Sequence, residues 1–396
     1  MSIQLSKRVV SVKPSPTLAI TARAASMRAE GKDIIGLGAG EPDFDTPSHI
    51  KDAGIQAIHK GFTKYTAVDG ITSLKNAIIN KFDRDNGLRY QSNQILVSCG
   101  GKQSFFNLAQ ALLNPGDEAI ILAPYWVSYP DMVILAGGRP VIINTTQQQH
   151  FKITPQQLRD ALTENSRLFV LNSPSNPSGM AYSLNELTAL AKVLLEYPKV
   201  IIATDDMYEH ILWPGNTFCN ILNASPELYE NTIVLNGVSK AYSMTGWRIG
   251  YAAGPAQLIQ AMKKIQSQST SNPTSISQVA AEAALGGDQN CVQLMVDAFK
   301  MRHDYVVETL NNIKGISCLP TDGTFYVFPN VQAIIDTMNV GDDDLGFVEF
   351  LIEKAGVAVV PGSAFGCPGH IRISIATGME NLKSAMGRIQ TALLAA

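Results

Sequence analysis

Between about Gln94 and Gly254 the chain alternates short, unbroken apolar runs with stretches of helix length, and this pattern narrows the fold more than any other property of the sequence. Ile95-Leu-Val-Ser predicts a strand, and the stretch after it carries Phe105, Leu108, Ala109 and Leu112 at steps of three and four, which predicts an amphipathic helix. Asn114-Pro-Gly-Asp then breaks the chain. Further strands are predicted at 119–123, 168–171, 200–203, 232–236 and 249–253. Apolar runs without alternation belong to strands buried on both faces, as in a parallel sheet covered by helices, so the chain is expected to be α/β. Past Ser271-Asn-Pro the pattern turns helical, with Met295, Phe299, Val306, Leu310 and Ile313 marking one face of a long connecting helix. Short strands at 324–328, 357–360 and 371–375 then predict a smaller α+β domain.

Composition bounds the function. A length of 396 residues suits two or three domains, and 45% hydrophobic with 16% charged residues is ordinary for a folded protein. A net charge of −3 gives no reason to expect nucleic acid or an anionic membrane as partner. The opening Met1–Arg8 lacks the apolar run of an export signal, and no stretch of about 18 apolar residues is present to span a bilayer. Five dispersed cysteines without a CxxC pair argue against a disulfide framework, and six histidines form no metal-ligand spacing. The expectation is a soluble cytoplasmic protein without a metal. The acidic segment 339–346 is expected to be an exposed loop, and its consecutive carboxylates do not fit a calcium loop. Gly36-Leu-Gly38-Ala-Gly40 resembles a dinucleotide fingerprint, but it lacks the third glycine and runs into Glu41-Pro-Asp rather than a helix.

Chemistry gathers at the ends of the predicted strands, where open α/β sheets present ligand-binding groups. Lys240 lies just past the strand 232–236, eight residues before Arg248, as suits a Schiff-base amine beside a phosphate clamp. Gly100-Gly101-Lys102 joins a strand to a helix, where backbone N–H groups and the helix dipole close on an anion. Asp205 ends the strand 200–203 and can pair with a pyridine nitrogen. The prolines around Asn176 fix an extended loop able to hold it against a phenolic oxygen, and Trp126 offers an indole for stacking. Each of these has a plainer reading as a turn, cap or core residue; the joint appearance carries the argument.

With Gly38-Ala-Gly-Glu-Pro-Asp-Phe, Lys64-Tyr65-Thr, Gly100-Gly-Lys-Gln, Pro124-Tyr-Trp-Val-Ser-Tyr, Asn172-Ser-Pro-Ser-Asn-Pro-Ser-Gly, Asp205-Asp-Met-Tyr, Ser239-Lys-Ala-Tyr-Ser-Met-Thr-Gly-Trp-Arg and Ile371-Arg-Ile-Ser in order, the chain resembles the class I aminotransferases of pyridoxal-phosphate fold type I, within them the bacterial aspartate aminotransferases. The resemblance implies a mostly parallel seven-stranded sheet with helices on both faces in a large domain (48–292), and a small α+β domain from 1–47 and 293–396. It implies pyridoxal 5′-phosphate as cofactor, with Lys240 as its Schiff-base partner and proton shuttle. Asp205 would pair with the pyridine nitrogen, Asn176 and Tyr208 contact the phenolic oxygen, and Trp126 stack on the ring. Gly101, Lys102, Ser239 and Arg248 would surround the phosphate, joined by Tyr65 from the other subunit of a homodimer with shared sites. Gly40, Trp126 and Asn176 would line the substrate pocket, Arg372 grip the α-carboxylate, and Lys102, Ser15 and Thr17 meet an acidic side chain. Many relatives have serine where this chain has Gly237, so one phosphate contact of the family would be missing here or be replaced by Ser239. The implied reaction is ping-pong amino transfer from L-aspartate to 2-oxoglutarate, with oxaloacetate and L-glutamate as products. The alternatives are prephenate, aromatic or alanine aminotransfer, a fold-type-I lyase or acyl-transferase, and a pyridoxal-phosphate-binding regulatory module. The regulatory module would need a DNA-binding extension, for which the chain has neither a helix-turn-helix pattern nor a basic patch.

Overall fold

The computed structural model describes residues 3–14, 16–338 and 340–396. Its strands, in chain order, are β1 (Ile35–Gly36), β2 (Ile95–Ser98), β3 (Glu118–Ala123), β4 (Arg139–Asn144), β5 (Ser166–Asn172), β6 (Ile201–Asp205), β7 (Thr232–Gly237), β8 (Gly250–Ala253), β9 (Tyr326–Val327), β10 (Val357–Ala358), β11 (Val360–Pro361) and β12 (Ile371–Ser374). Strands β2 to β8 form a seven-stranded sheet in the order β2-β8-β7-β6-β5-β3-β4. All neighbours are parallel except β8, which runs antiparallel to β2 and to β7. The carboxyl ends of the parallel strands therefore share one edge with the amino end of β8.

Burial explains why these strands read as unbroken apolar runs. Ile95, Val97, Ile120, Phe169, Leu171, Ile202 and Val234 face one core, while Leu96, Ala119, Ile121, Leu168, Val170, Ala203, Ile233 and Leu235 face another. Helices Thr72–Lys81, Leu184–Leu194 and Ser275–Gly286 supply Leu74, Ile78, Leu187, Leu190 and Ala280 to the first core. Helices Gly101–Leu112, Ser128–Leu135 and Ala256–Ser267 cover the second with Phe105, Leu108, Val133 and Met262. Leu108 is fully buried, and truncating such a residue to alanine costs about 2–5 kcal/mol.

The remaining strands form two small sheets. β1 pairs in parallel with β10, Ile35 opposite Val357, which ties the N-terminal segment to the C-terminal part of the chain. β11, β12 and β9 form an antiparallel three-stranded sheet. The long helix spans Asn290–Asn311 and buries Met295, Phe299, Val306 and Leu310. Ile313, expected on its face, lies beyond its end.

Two further expectations are corrected. The sequence reading gives no strand at β4: it is an edge strand, half-exposed along most of its length, and Arg139-Pro140 stands ahead of its short apolar run Val141-Ile142-Ile143. The segment 339–346 is not simply an exposed acidic loop. Asp343 caps a helix, Asp344–Phe350, through Oδ1 and the amide of Gly346 at 2.8 Å. Asp344 is buried and accepts from the amide of Ser363 at 2.5 Å, so its carboxylate serves an inter-element contact. The stretch after Gly36 runs without a helix to Ser48, as the lost dinucleotide spacing requires.

Candidate functional site

Six strand ends of the large sheet converge on one cavity of about 330 Å³. Its lining includes Gly101 and Lys102 after β2, Trp126 after β3, Asn172 and Asn176 from β5 and the loop after it, and Asp205 at the end of β6. Ser239 and Lys240 follow β7, and Arg248 precedes β8. The small sheet supplies Tyr326 and Arg372, and the N-terminal segment supplies Thr17, Gly40 and Glu41. Twelve residues expected in the site belong to this lining, whereas Tyr65 does not line it and is 92% exposed. Ser15 lies outside the described residues.

The anion-binding end is built from backbone. Gly100 adopts φ +91°, a conformation that favours glycine, and leads directly into the helix Gly101–Leu112. A Cβ on Gly100 would fall 2.3 Å from Nη2 of Arg248, so the guanidinium occupies the space the missing side chain leaves. Arg248 itself has φ +57°, rare outside glycine and asparagine. Its Nη1 donates to the carbonyl of Thr245 at 2.7 Å and its Nη2 to that of Cys99 at 3.3 Å. Gly237 answers a different need. A Cβ there would sit 3.0 Å from the carbonyl oxygen of Ile249 and 3.1 Å from Cα of Gly250, so the close approach of β7 to β8 uses the absence of a side chain.

The amine of Lys240 donates to the carbonyl oxygen of Gly40 at 2.5 Å. It lies deep in the cavity, partly open to it. Burial, then the positive charges of Arg372 and Arg248, lowers its pKa to about 8 against the partial opposition of Glu41 and Asp205. Burial raises the pKa of Asp205, while Tyr129 and the amide of Met207, at 3.2 Å, act against that rise by donating to the carboxylate. Asn172 donates to the carbonyl of Asp205 at 2.9 Å and accepts from the amide of Asn176 at 2.8 Å. Arg372 is buried and aimed: Nη1 donates to Oδ1 of Asn176 at 2.9 Å, Nη2 donates to the carbonyl of Gly38 at 2.7 Å, and the ring of Tyr326 lies 4.4 Å from its carbon. Its Nε has no partner among the described residues. The hydroxyls of Tyr208 and Tyr326 are 2.9 Å apart. Lys102 sits over the indole of Trp126, 5.1 Å from the ring centre; burial, then Arg248, lowers its pKa.

A family model described as "Aminotransferase class I and II" matches residues 32–389. The chain belongs to this family. Of its relatives, the aspartate/prephenate aminotransferase of Nitrosomonas europaea is 60% identical over 396 residues, covering 99% of this chain and 100% of that protein. The aspartate aminotransferase of Geobacillus stearothermophilus is 49% identical, covering 98% of each. Among solved structures, the aspartate aminotransferase of Rhizobium meliloti superposes with a TM-score of 0.94 at 48% identity, covering 99% of each chain. That of Thermus thermophilus with maleate gives 0.92 at 42%, covering 99% of this chain and 100% of that one.

Class I and II aminotransferases of this kind use pyridoxal phosphate, and the residues present fit it. The cavity volume lies in the range of small-molecule sites. One end offers a glycine cradle, a helix N-terminus and an arginine bonded only to carbonyls among the described residues, all suited to a phosphate. The other carries a buried carboxylate and an amine with a depressed pKa.

Among the residues that line or support the site, Tyr129, Tyr326, Glu41 and Asn172 have no role assigned from the sequence. A signal existed for Tyr129, which stands three residues after Trp126, so one helical turn brings both to the same side with ring centres 5.1 Å apart. Tyr326, from a strand two residues long, offered none.

Proposed function

We propose that the protein transfers the amino group of L-aspartate to 2-oxoglutarate, forming oxaloacetate and L-glutamate. The observation that carries this reading is the placement of two cationic groups around the Lys240 amine: buried Arg372 on one side and Lys102 over Trp126 on the other. Arg372 would take the α-carboxylate in its planar fork. Lys102, with Thr17 and Ser15, would meet the second carboxylate. The aspartate aminotransferase of Thermus thermophilus, of similar fold, has been solved with maleate, itself a dicarboxylate.

Bound here, pyridoxal phosphate supplies an aldehyde that condenses with amines and a protonated ring that draws electrons from the substrate's Cα. Asp205 would keep the ring nitrogen protonated, and Asn176 and Tyr208 would donate to the phenolic oxygen. Gly101, Ser239 and Arg248 would hold the phosphate, and Trp126 would cover the ring. Lys240 Nζ, released from Gly40, would take the proton from Cα as base and deliver it as acid to the carbon that had been the cofactor's aldehyde.

Prephenate as a further acceptor is favoured by one observation, the 60% identity to the Nitrosomonas europaea aspartate/prephenate aminotransferase. A lysine on a flexible stem can also swing aside for a bulkier acid. The chain would work as a homodimer: Tyr65 is exposed and does not line its own cavity, as suits a residue serving a partner's phosphate. The pairing of β1 with β10 supports a large domain at 48–292 and a small one from 1–47 and 293–396. A cytoplasmic location is supported by the free, scattered cysteines. Among the described residues no helix is long and apolar enough to cross a membrane. A panel of amino donors against 2-oxoglutarate tests the reading: aspartate is expected to exceed alanine and phenylalanine in kcat/KM, and a preference for a neutral donor would overturn it.

A further inference from the structure

Behind the cavity lies a buried polar network that the proposed chemistry does not use. Lys81, the last residue of helix Thr72–Lys81, is fully buried, donates to Oδ1 of Asn86 at 2.8 Å and makes an ion pair with Glu209. Asn86 donates to Oε2 of Glu209 at 2.8 Å. Asn236, near the end of β7, donates to Oε1 of Glu209 at 2.6 Å. The carbonyl oxygen of the same Asn236 side chain accepts from the amide of Gly237 at 2.7 Å, where the backbone leaves the sheet toward Lys240. Glu209 belongs to the turn after Asp205, and that turn is stapled to β7 by the amide of Asp206 on the carbonyl of Leu235 at 2.9 Å.

We propose that Glu209 is a positioning residue that, through Asn236, fixes the strand end bearing Lys240 against the strand end bearing Asp205. The physical basis is a constraint that neither sheet nor helix supplies. Past Gly237 the ladder thins, since the amide of Val238 reaches Ile249 only at 3.4 Å, and the next backbone bonds run forward into the turn, from the amides of Tyr242 and Met244 to the carbonyls of Val238 and Ser239 at 3.3 and 3.0 Å. A charged acceptor strengthens the bond from Asn236. Burial would raise the pKa of Glu209, yet Lys81 and His210 overcome it and hold it ionised, at about 2. A well-fitted amine and carboxylate must be held within fractions of an ångström to act on one substrate atom.

This inference rests on Lys240 being the reactive amine, so the test begins with borohydride trapping of pyridoxal phosphate on Lys240 in the unaltered protein. Failure there removes the functional reading itself. Two variants follow. Asn236→Ser withdraws the reach to Glu209 and leaves the Lys81 pair intact. Lys81→Met/Glu209→Met removes both charges, an exchange that buried pairs often tolerate without loss of stability. In both, kcat is expected to fall about tenfold with KM within about twofold, and the pH midpoint for uptake of pyridoxal phosphate by the apoprotein is expected to move. Folded variants with parental kcat and parental uptake midpoint would show that the network is only structural. Should neither variant fold, hydrogen exchange in the unaltered protein decides: protection of the Gly237 amide equal to that of Ile233, Val234 and Leu235 within β7 supports the brace, and exchange as fast as a surface loop overturns it.

Discussion

The phenol of Tyr129 donates a hydrogen bond to Oδ2 of Asp205; Tyr129 is fully buried behind the cavity that Asp205 lines. This bond opposes the effect of burial, which alone would drive the carboxyl toward its neutral form. Tyr129→Phe removes the donor while keeping the ring. Loss of a hydrogen bond to a charged group costs about 1.5–3 kcal/mol, so kcat/KM for aspartate should fall about 10- to 100-fold. Steady-state kinetics of the variant checks this, and an unchanged value would assign Tyr129 to packing alone.

Lys240→Ala should still take up pyridoxal phosphate weakly through the phosphate cradle yet lose transamination by several orders of magnitude, because both amine chemistry and proton transfer depend on the one side chain. Peptide mapping after borohydride reduction of the parent protein should find the cofactor on Lys240; label on another lysine would end the assignment.

The depressed pKa of Lys240 sets a pH dependence. Only the neutral amine attacks a carbonyl, and its fraction rises with pH through about 8 rather than through the ordinary 10.5. Uptake of pyridoxal phosphate by the apoprotein should therefore accelerate with a midpoint near 8. After burial, the nearby guanidinium of Arg372 contributes most to the depression, so Arg372→Met should move the midpoint upward. Stopped-flow absorbance across pH 6–10 would read both, and a midpoint that does not move would remove Arg372 as a cause.

Lys102→Ala should lower kcat/KM on aspartate by about one to two powers of ten, the worth of a lost charge-assisted hydrogen bond, and affect alanine less. Equal losses on both donors would restrict Lys102 to the phosphate or the fold.

Mixing Lys240→Ala subunits with subunits carrying Tyr65→Ala should restore activity relative to either alone, since a mixed dimer holds one site with both groups intact. An active monomer in solution would end the shared-site reading.

Most of the sheet and cavity were legible because their determinants are local. Strands β2, β3, β5, β6, β7 and β8 announce themselves by apolar runs buried on both faces, and the residues at their ends follow once the edge is known. β4 escaped although Val141, Ile142 and Ile143 pack on both cores, because the run is short and Arg139-Pro140 ahead of it reads as a break that an edge strand tolerates. Asp344 escaped because its burial depends on Ser363, 19 residues away. Glu209 and Lys81 are 128 residues apart, and nothing in either local sequence names the other. The unusual Gly237 was visible as a departure from relatives, but its reason, the backbone of Ile249 and Gly250 against it, was not.

The reversed strand β8 has a consequence for how the protein matures. Ser98 pairs with Gly250, so the cradle at Gly100 and the guanidinium of Arg248 meet across about 150 residues of chain. Such distant pairing is reached slowly, because a long loop must close before any contact rewards it. A nascent or partly folded chain can have the β3–β5–β6 centre in place and still lack a phosphate clamp. Cofactor capture then reports completion of the sheet, and the ligand will selectively stabilise only chains whose two ends have already met.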